Sequence, residues 1–117
     1  MTRVLIVDDQ PSFRRSLRQL MDFAGLEVVG EAGDIPTAEA LLPECQPDLA
    51  VVDILLPGIN GLDGTLRLKA ISPRLRVILV SAYSDQASLF QASAHSIGAE
   101  TFISKDDLDL KTLLGWK

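Results

Sequence analysis

Five short apolar segments alternate with five longer segments of helical periodicity, and this alternation restricts the possible folds more than any other feature of the chain. The apolar segments are 3–8, 27–32, 48–53, 75–81 and 100–104. The first, third and fourth are unbroken runs of Val, Leu, Ile and Ala, which is typical of parallel strands covered by helices on both faces. Strands that alternate with helices are joined by right-handed crossovers. The pattern therefore predicts a doubly wound α/β fold.

The segments between the strands carry apolar residues at helical spacing. The apolar face of the first helix consists of Phe13, Leu17, Leu20, Met21 and Ala24. Pro11 suits the first turn of this helix, and Gly25 suits its end. In the second helix we expect Pro43 to shorten or kink the end. The other helices are predicted at 62–71, 85–97 and 106–114.

A chain of 117 residues has the usual size of one domain, so we assign residues 1–117 to a single unit. With five strands, the flavodoxin-like order 2-1-3-4-5 is favoured. In such sheets the ligand binds beyond the carboxyl ends of the strands, where the strand order reverses between the first and third strands. The residues that end these strands are the candidates for chemistry.

Composition and charge exclude several other classes of protein. The net charge is −5, whereas a protein that grips the nucleic-acid backbone needs a basic patch, so we expect no direct nucleic-acid binding. The sequence shows no signal peptide, and no stretch approaches the roughly 20 apolar residues that span a bilayer. The single cysteine, Cys45, cannot form an internal disulfide and fits a reducing compartment. We expect a cytoplasmic protein with no membrane contact.

Acidic and polar residues stand at four of the strand ends. Asp8 and Asp9 follow the first strand, Asp53 ends the third, Ser81 ends the fourth and Lys105 follows the fifth. Any one of these acids could be a helix cap, Ser81 a turn residue, and Lys105 a solvated surface charge. Three carboxylates at the switch point, however, repel one another unless a cation neutralises them. The set predicts a Mg²⁺ site, because this ion prefers oxygen ligands and shares open sites with phosphate.

The same residues suit phosphoryl transfer to a carboxylate. Asp53 lies between the other strand ends and is the predicted nucleophile, which would form an acyl phosphate. Asp9 would bind the ion directly, Asp8 through water, and the backbone carbonyl of Leu55 would add a ligand. Lys105 would pair with a phosphoryl oxygen, and the Ser81 hydroxyl would donate a hydrogen bond to another.

As a set these residues resemble the receiver domain of two-component response regulators over essentially the whole chain. The motifs are Val-Asp-Asp at 7–9, Asp53 followed by Leu-Pro-Gly at 56–58 and Asn-Gly at 60–61, Ser-Ala at 81–82, and Phe102 three places before Lys105. The resemblance implies that a sensor histidine kinase or phosphotransfer domain phosphorylates Asp53. It also implies that Ser81 is the switch hydroxyl, and that Phe102 turns inward and changes the surface of the fourth helix, fifth strand and fifth helix.

The sequence also departs from the common receiver pattern. Asp106 follows Lys105 where many receivers have a cis proline, so we expect a trans bond there. Lys-Asp at 105–106 and Glu-Ala-Gly-Asp at 31–34 resemble receivers of the NarL/FixJ type, which usually precede a helix-turn-helix DNA-binding domain. That implies a transcriptional output through a domain absent from this sequence, with homodimer formation on phosphorylation. The alternative is a stand-alone receiver that acts through protein–protein interaction.

Three rival functions remain open beside this interpretation. An aspartyl phosphatase usually needs a second aspartate two places after the nucleophile, where this chain has Leu55. A flavin-binding protein of this fold needs a Ser/Thr/Gly-rich loop after the first strand, where the sequence is Gln-Pro-Ser-Phe at 10–13. A degenerate receiver would lack some of the acids. The resemblance to receiver domains implies that Leu55 and Tyr83 flank the phosphoryl group. Because neither is an obvious base, we expect self-phosphorylation with only slow self-dephosphorylation, not enzymatic turnover.

Overall fold

Five parallel strands form one sheet in the order β2-β1-β3-β4-β5, so the predicted order is confirmed. The computed structural model of the chain describes residues 1–82 and 86–117. The strands are β1 (Arg3–Val7), β2 (Glu27–Ala32), β3 (Leu49–Asp53), β4 (Arg76–Ser81) and β5 (Thr101–Ser104). Val7 pairs with Val52, and Ser81 pairs with Ser104. The register therefore brings the carboxyl ends of the four strands β1, β3, β4 and β5 to one edge of the sheet.

Helices cover both faces of the sheet, as a doubly wound fold requires. They are α1 (Pro11–Ala24), α2 (Ile35–Cys45), α3 (Gly61–Ile71), α4 (Ala87–Ser96) and α5 (Leu110–Leu114). Residues of α1 and α5 share one buried core with alternate strand residues, and residues of α2, α3 and α4 share the other. Leu5 and Val7 point into one core while Val4 and Ile6 point into the other, which explains why β1 is apolar throughout.

The predicted boundaries hold for α1, which begins at Pro11 and ends before Gly25, whose φ is 78°. α2 continues past Pro43 to Cys45 and therefore keeps this proline in its last turn. The predicted start of α5 at Asp106 is wrong, because residues Lys105–Asp107 form a 3-10 turn. The Asp109 side chain then caps α5 by accepting a hydrogen bond from the Thr112 amide.

Two further expectations concern α4 and the bond after Lys105. The predicted start of α4 at Asp85 lies outside the described residues, and the helix ends at Ser96, one residue earlier than expected. The Lys105–Asp106 bond is trans, as are the other peptide bonds of the described ranges. Within those ranges, no helix has the length and apolar character needed to cross a membrane.

Candidate functional site

Three carboxylates meet at the carboxyl edge of the sheet. Asp8 and Asp9 follow β1, Asp53 ends β3, and one oxygen of each lies within 4.8 Å of the others. Asp8 and Asp53 are buried, whereas Asp9 is exposed. Mg²⁺–oxygen distances of about 2.1 Å place opposite ligands of one ion about 4 Å apart. The cluster therefore has nearly the size that one ion with bound water would span.

Asp8 is held at three points that leave one carboxylate oxygen facing the cluster. Its amide donates to the carbonyl of Ala32 at 2.9 Å, and its Oδ1 accepts from the amide of Gln10 at 2.8 Å. Its own carbonyl accepts from Arg14 at 2.6 Å. The other oxygen, Oδ2, is buried and accepts no hydrogen bond within the described ranges. A carboxylate oxygen that accepts no aligned hydrogen bond and stands close to two other carboxylates suits a metal ligand, so the residues present fit Mg²⁺.

Lys105 brings a positive charge into the same cluster. Its Nζ lies 2.7 Å from Asp8 Oδ2, which is an ion pair that is not aligned as a hydrogen bond, and it donates to Asp53 Oδ2 at 3.3 Å. The ammonium also stands 4.1 Å from the centre of the Phe13 ring. Only 10% of the Lys105 side chain is exposed. A charge buried to this degree needs partners, and two carboxylates and an aromatic face supply them.

The surroundings of Asp53 act on its pKa in opposing directions. Burial raises the pKa of Asp53 above its ordinary value, and the nearby charge of Asp8 raises it further. The Leu55 amide, which donates to Asp53 Oδ1 at 3.1 Å, and the Lys105 ammonium act in the opposite direction on this pKa. A cation bound beside Asp53 would favour its charged form, which is the form that can act as a nucleophile.

The start of α3 fits closely against the end of β3. The Gly61 amide donates to the carbonyl of Ile54 at 2.8 Å. A Cβ atom on Gly61 would collide with the Asp53 carbonyl oxygen and with the Ile54 Cα. Glycine at 61 therefore permits the close approach that fixes the backbone of Asp53.

The two predicted switch residues lie on neighbouring strands. Ser81 is buried at the end of β4. Phe102 is also buried, so it occupies the inward position in this structure, and its ring packs against Phe90 with centroids 5.3 Å apart. The Phe102 amide donates to the Gln91 side chain of α4 at 2.7 Å. The roles of Ser81 and Phe102 in switching stay predictions.

Sequence reasoning missed two neighbours of the cluster. Neither Phe13 nor Arg14 was predicted to lie at the acidic cluster, yet Phe13 contacts Lys105 and Arg14 contacts Asp8. Their position carried a signal, because the first turn of α1 begins directly after the Asp8–Asp9 pair at the functional edge. The backbone carbonyl of Leu55 stays a predicted ligand, and Tyr83 lies outside the described residues.

Known proteins resemble this chain in sequence and in fold. A family model of the response regulator receiver domain matches residues 4–114. The chain is 38% identical over 103 residues to the chemotaxis protein CheY of Thermotoga maritima, covering 88% of this chain and 84% of CheY. It is 39% identical over 108 residues to the transcriptional activator DevR/DosR of Mycobacterium tuberculosis, covering 91% of this chain and 48% of that protein.

A solved structure agrees with these relatives. The receiver domain of the putative regulator NarL from Mycobacterium tuberculosis superimposes with a TM-score of 0.85 at 29% identity, covering 98% of this chain and 90% of that one. The predicted resemblance to the NarL type is thus confirmed. Receiver domains generally bind Mg²⁺ at an acidic pocket and act in signalling with histidine kinases or phosphotransfer proteins. This chain belongs to the response regulator receiver domain family of two-component signalling.

Proposed function

We propose that this domain is a Mg²⁺-dependent phosphoacceptor, and that a sensor histidine kinase or phosphotransfer domain phosphorylates Asp53. The observation that carries the proposal is the joint burial of Asp8, Asp53 and Lys105 at one edge of the sheet, with Asp9 beside them. Membership of the receiver family supports the same reading. A structural salt bridge from Lys105 to Asp8 and Asp53 would not require the third carboxylate, Asp9, beside them.

The proposed chemistry assigns a separate task to each side chain. An Asp53 oxygen forms a bond to phosphorus while the bond from phosphorus to the donor's imidazole nitrogen breaks, and the leaving imidazole takes up a proton. The Leu55 amide holds the orientation of the Asp53 carboxylate. Lys105, already 3.3 Å from Asp53 Oδ2, neutralises charge on the transferred group. Mg²⁺, held by Asp8, Asp9, Asp53 and the Leu55 carbonyl, supplies further charge neutralisation when it is bound.

We infer that the output passes through Ser81 and Phe102. The Ser81 hydroxyl would donate to the phosphoryl group, and the resulting shift of β4 would alter the packing of Phe102 against α4. Phe102 already contacts Phe90 and Gln91 of that helix, so a displacement at β4 or β5 reaches the surface directly. The domain itself would bind no nucleic acid, and its place would be the cytoplasm.

Two kinds of output are consistent with the relatives. DevR/DosR is a DNA-binding transcriptional activator of which this chain spans about half, and this favours residues 1–117 as the N-terminal receiver of a longer regulator with a helix-turn-helix domain. Phosphorylation would then promote homodimer formation. CheY of Thermotoga maritima, of which the chain spans 84%, favours the alternative of a stand-alone receiver that acts through protein–protein interaction.

Phosphorylation by a small donor tests the core of the proposal. The purified protein is incubated with acetyl phosphate and MgCl₂, and intact mass is recorded with time. We expect one phosphoryl group to be added, and we expect no addition with EDTA in place of MgCl₂ or in the Asp53→Asn variant. An unmodified wild-type protein at every Mg²⁺ concentration would refute the proposal. Continuous release of free phosphate would instead identify a phosphatase.

A further inference from the structure

Arg14 connects the acidic cluster to the neighbouring strand. Its Nη1 donates to the backbone carbonyl of Asp8 at 2.6 Å, and its Nε donates to Glu31 Oε1 at 3.0 Å. Only 21% of the Arg14 side chain is exposed. One guanidinium thus spans from β2 to the residue that follows β1.

Glu31 is itself held in place by a second arginine. Its Oε2 accepts from Arg18 Nε at 2.8 Å, one turn further along α1. Glu31 pairs with Ile6 in the β1–β2 register, two residues before Asp8. Glu31 is the first residue of the Glu-Ala-Gly-Asp segment at 31–34, and it takes no part in the proposed chemistry. Glu31 orients Arg14 and offsets its charge.

The Arg14 contact bears directly on the direction of the Asp8 side chain. Asp8 stands where the chain leaves β1 for α1, and of its three anchors the Arg14 contact is the one that a side chain supplies. With these anchors in place, Oδ1 is engaged by the Gln10 amide and Oδ2 faces Asp53 and Lys105. Outer contacts of this kind fix the orientation of metal ligands and strengthen metal binding.

We propose that Arg14, oriented by Glu31, is a positioning residue for Mg²⁺ binding at the Asp8, Asp9 and Asp53 cluster. This inference rests on the proposed metal-dependent phosphorylation and extends it to residues that touch neither the ion nor the phosphoryl group. Arg14 acts through the backbone of Asp8 and not through its own charge.

The positive charge of Arg14 weakens cation binding, so the effect of this charge has to be distinguished from the positioning effect. Removal of a nearby positive charge would by itself strengthen the binding of a cation. Arg18 provides a matched control, because it binds the same Glu31 but makes no contact with Asp8 among those of the described residues. Arg18→Met and Arg14→Met remove the same charge, and only Arg14→Met removes the support of the Asp8 carbonyl.

The test is a calorimetric titration of the metal-free protein with MgCl₂. We expect Arg14→Met to raise the Kd for Mg²⁺ about tenfold, the lower end of the range for such outer contacts. Arg18→Met should leave the Kd unchanged or lower it. Arg14→Lys should raise the Kd by a smaller factor, because an ammonium keeps the charge but cannot reproduce the planar fork that reaches both Asp8 and Glu31.

Phosphorylation by acetyl phosphate gives a second measurement that a general loss of stability would not reproduce. In Arg14→Met, the Mg²⁺ concentration for half-maximal rate should rise by the same factor as the Kd, while the rate at saturating Mg²⁺ stays close to that of the wild type.

The possible outcomes separate the two proposals. A wild-type protein that binds no Mg²⁺ would overturn the proposed function itself. Wild-type binding together with an Arg14→Met Kd equal to that of Arg18→Met would overturn the positioning role alone. If Arg14→Met does not fold, as judged by circular dichroism, the charge-preserving Arg14→Lys decides, and a wild-type Kd in that variant would also overturn the role of Arg14.

Discussion

Replacement of Lys105 by methionine should strongly destabilise the metal-free domain. Methionine keeps much of the apolar stem of the lysine but removes the ammonium that lies 2.7 Å from Asp8 and 3.3 Å from Asp53. Removal of one partner from a buried ion pair costs about 3–5 kcal/mol, because the remaining charge is left buried without compensation. The cation–π contact with Phe13 adds about 0.5–1 kcal/mol. Since Lys105 retains slight exposure, we expect a loss of about 3 kcal/mol in the free energy of unfolding.

Urea unfolding at pH 7 in EDTA measures this loss, with circular dichroism as the signal. Lys111→Met is the control, because Lys111 is exposed on α5 and should contribute about 0.5 kcal/mol or less. Addition of Mg²⁺ should recover part of the stability of Lys105→Met if a cation can replace the ammonium. The double variant Asp53→Asn/Lys105→Met should be more stable than Lys105→Met alone, since one of the two uncompensated carboxylates is gone.

A loss in Lys105→Met as small as that in Lys111→Met would refute the reasoning. It would mean that Lys105 behaves as an ordinary surface charge, for which ion pairs contribute about 0–1 kcal/mol. The same result would remove the basis for a preformed phosphate-facing lysine.

Three further predictions concern the acceptor and its surroundings. Burial raises the pKa of Asp53 above its unfolded value of 3.8, so the folded state loses stability as pH rises from 3.8 through the folded-state pKa. Metal-free Asp53→Asn should therefore be more stable than wild type at pH 7. In urea titrations this gain in stability should disappear below that pH window. Gly61→Ala should cost about 1–3 kcal/mol of unfolding free energy and slow phosphorylation, because the new methyl group collides with the Asp53 carbonyl. In the control Gly33→Ala, the new methyl group meets only Arg14 Nη1 at an ordinary contact distance of 3.8 Å, so the free energy of unfolding should change by about 0.5 kcal/mol or less. The aspartyl phosphate should decay slowly in Mg²⁺ buffer because Leu55 and Tyr83 offer no base, and decay within seconds, followed by intact mass, would contradict this.

Much of the fold was predictable because it depends on local pattern. The apolar runs gave the five strands to within one residue at each end, and the strand alternation gave the order 2-1-3-4-5. The proximity of Asp8, Asp9 and Asp53 follows from that order alone. Acidic residues at the carboxyl ends of adjacent parallel strands lie close together because those ends share one edge of the sheet.

The rest depends on contacts that periodicity does not encode. The start of α5 was predicted at Asp106, but residues Lys105–Asp107 form a 3-10 turn and the Asp109 side chain caps the helix that follows. The contact of Phe13 with Lys105 joins residues 92 positions apart, so no local signal predicts it. Likewise, the link from Glu31 to Arg14 depends on the rotamers of long side chains.

The hydrogen bond between Gln91 and the Phe102 amide has a consequence for the outer boundary of the sheet. β5 is an edge strand, and the unpaired amides of an edge strand can recruit a strand from another molecule. Gln91 occupies one of these amides, and its Nε2 also donates to Thr101 at 3.2 Å. The Gln91 side chain of α4 thus protects part of the exposed edge of β5. A displacement of α4 that breaks the bond between Gln91 and the Phe102 amide would leave β5 open to intermolecular strand pairing.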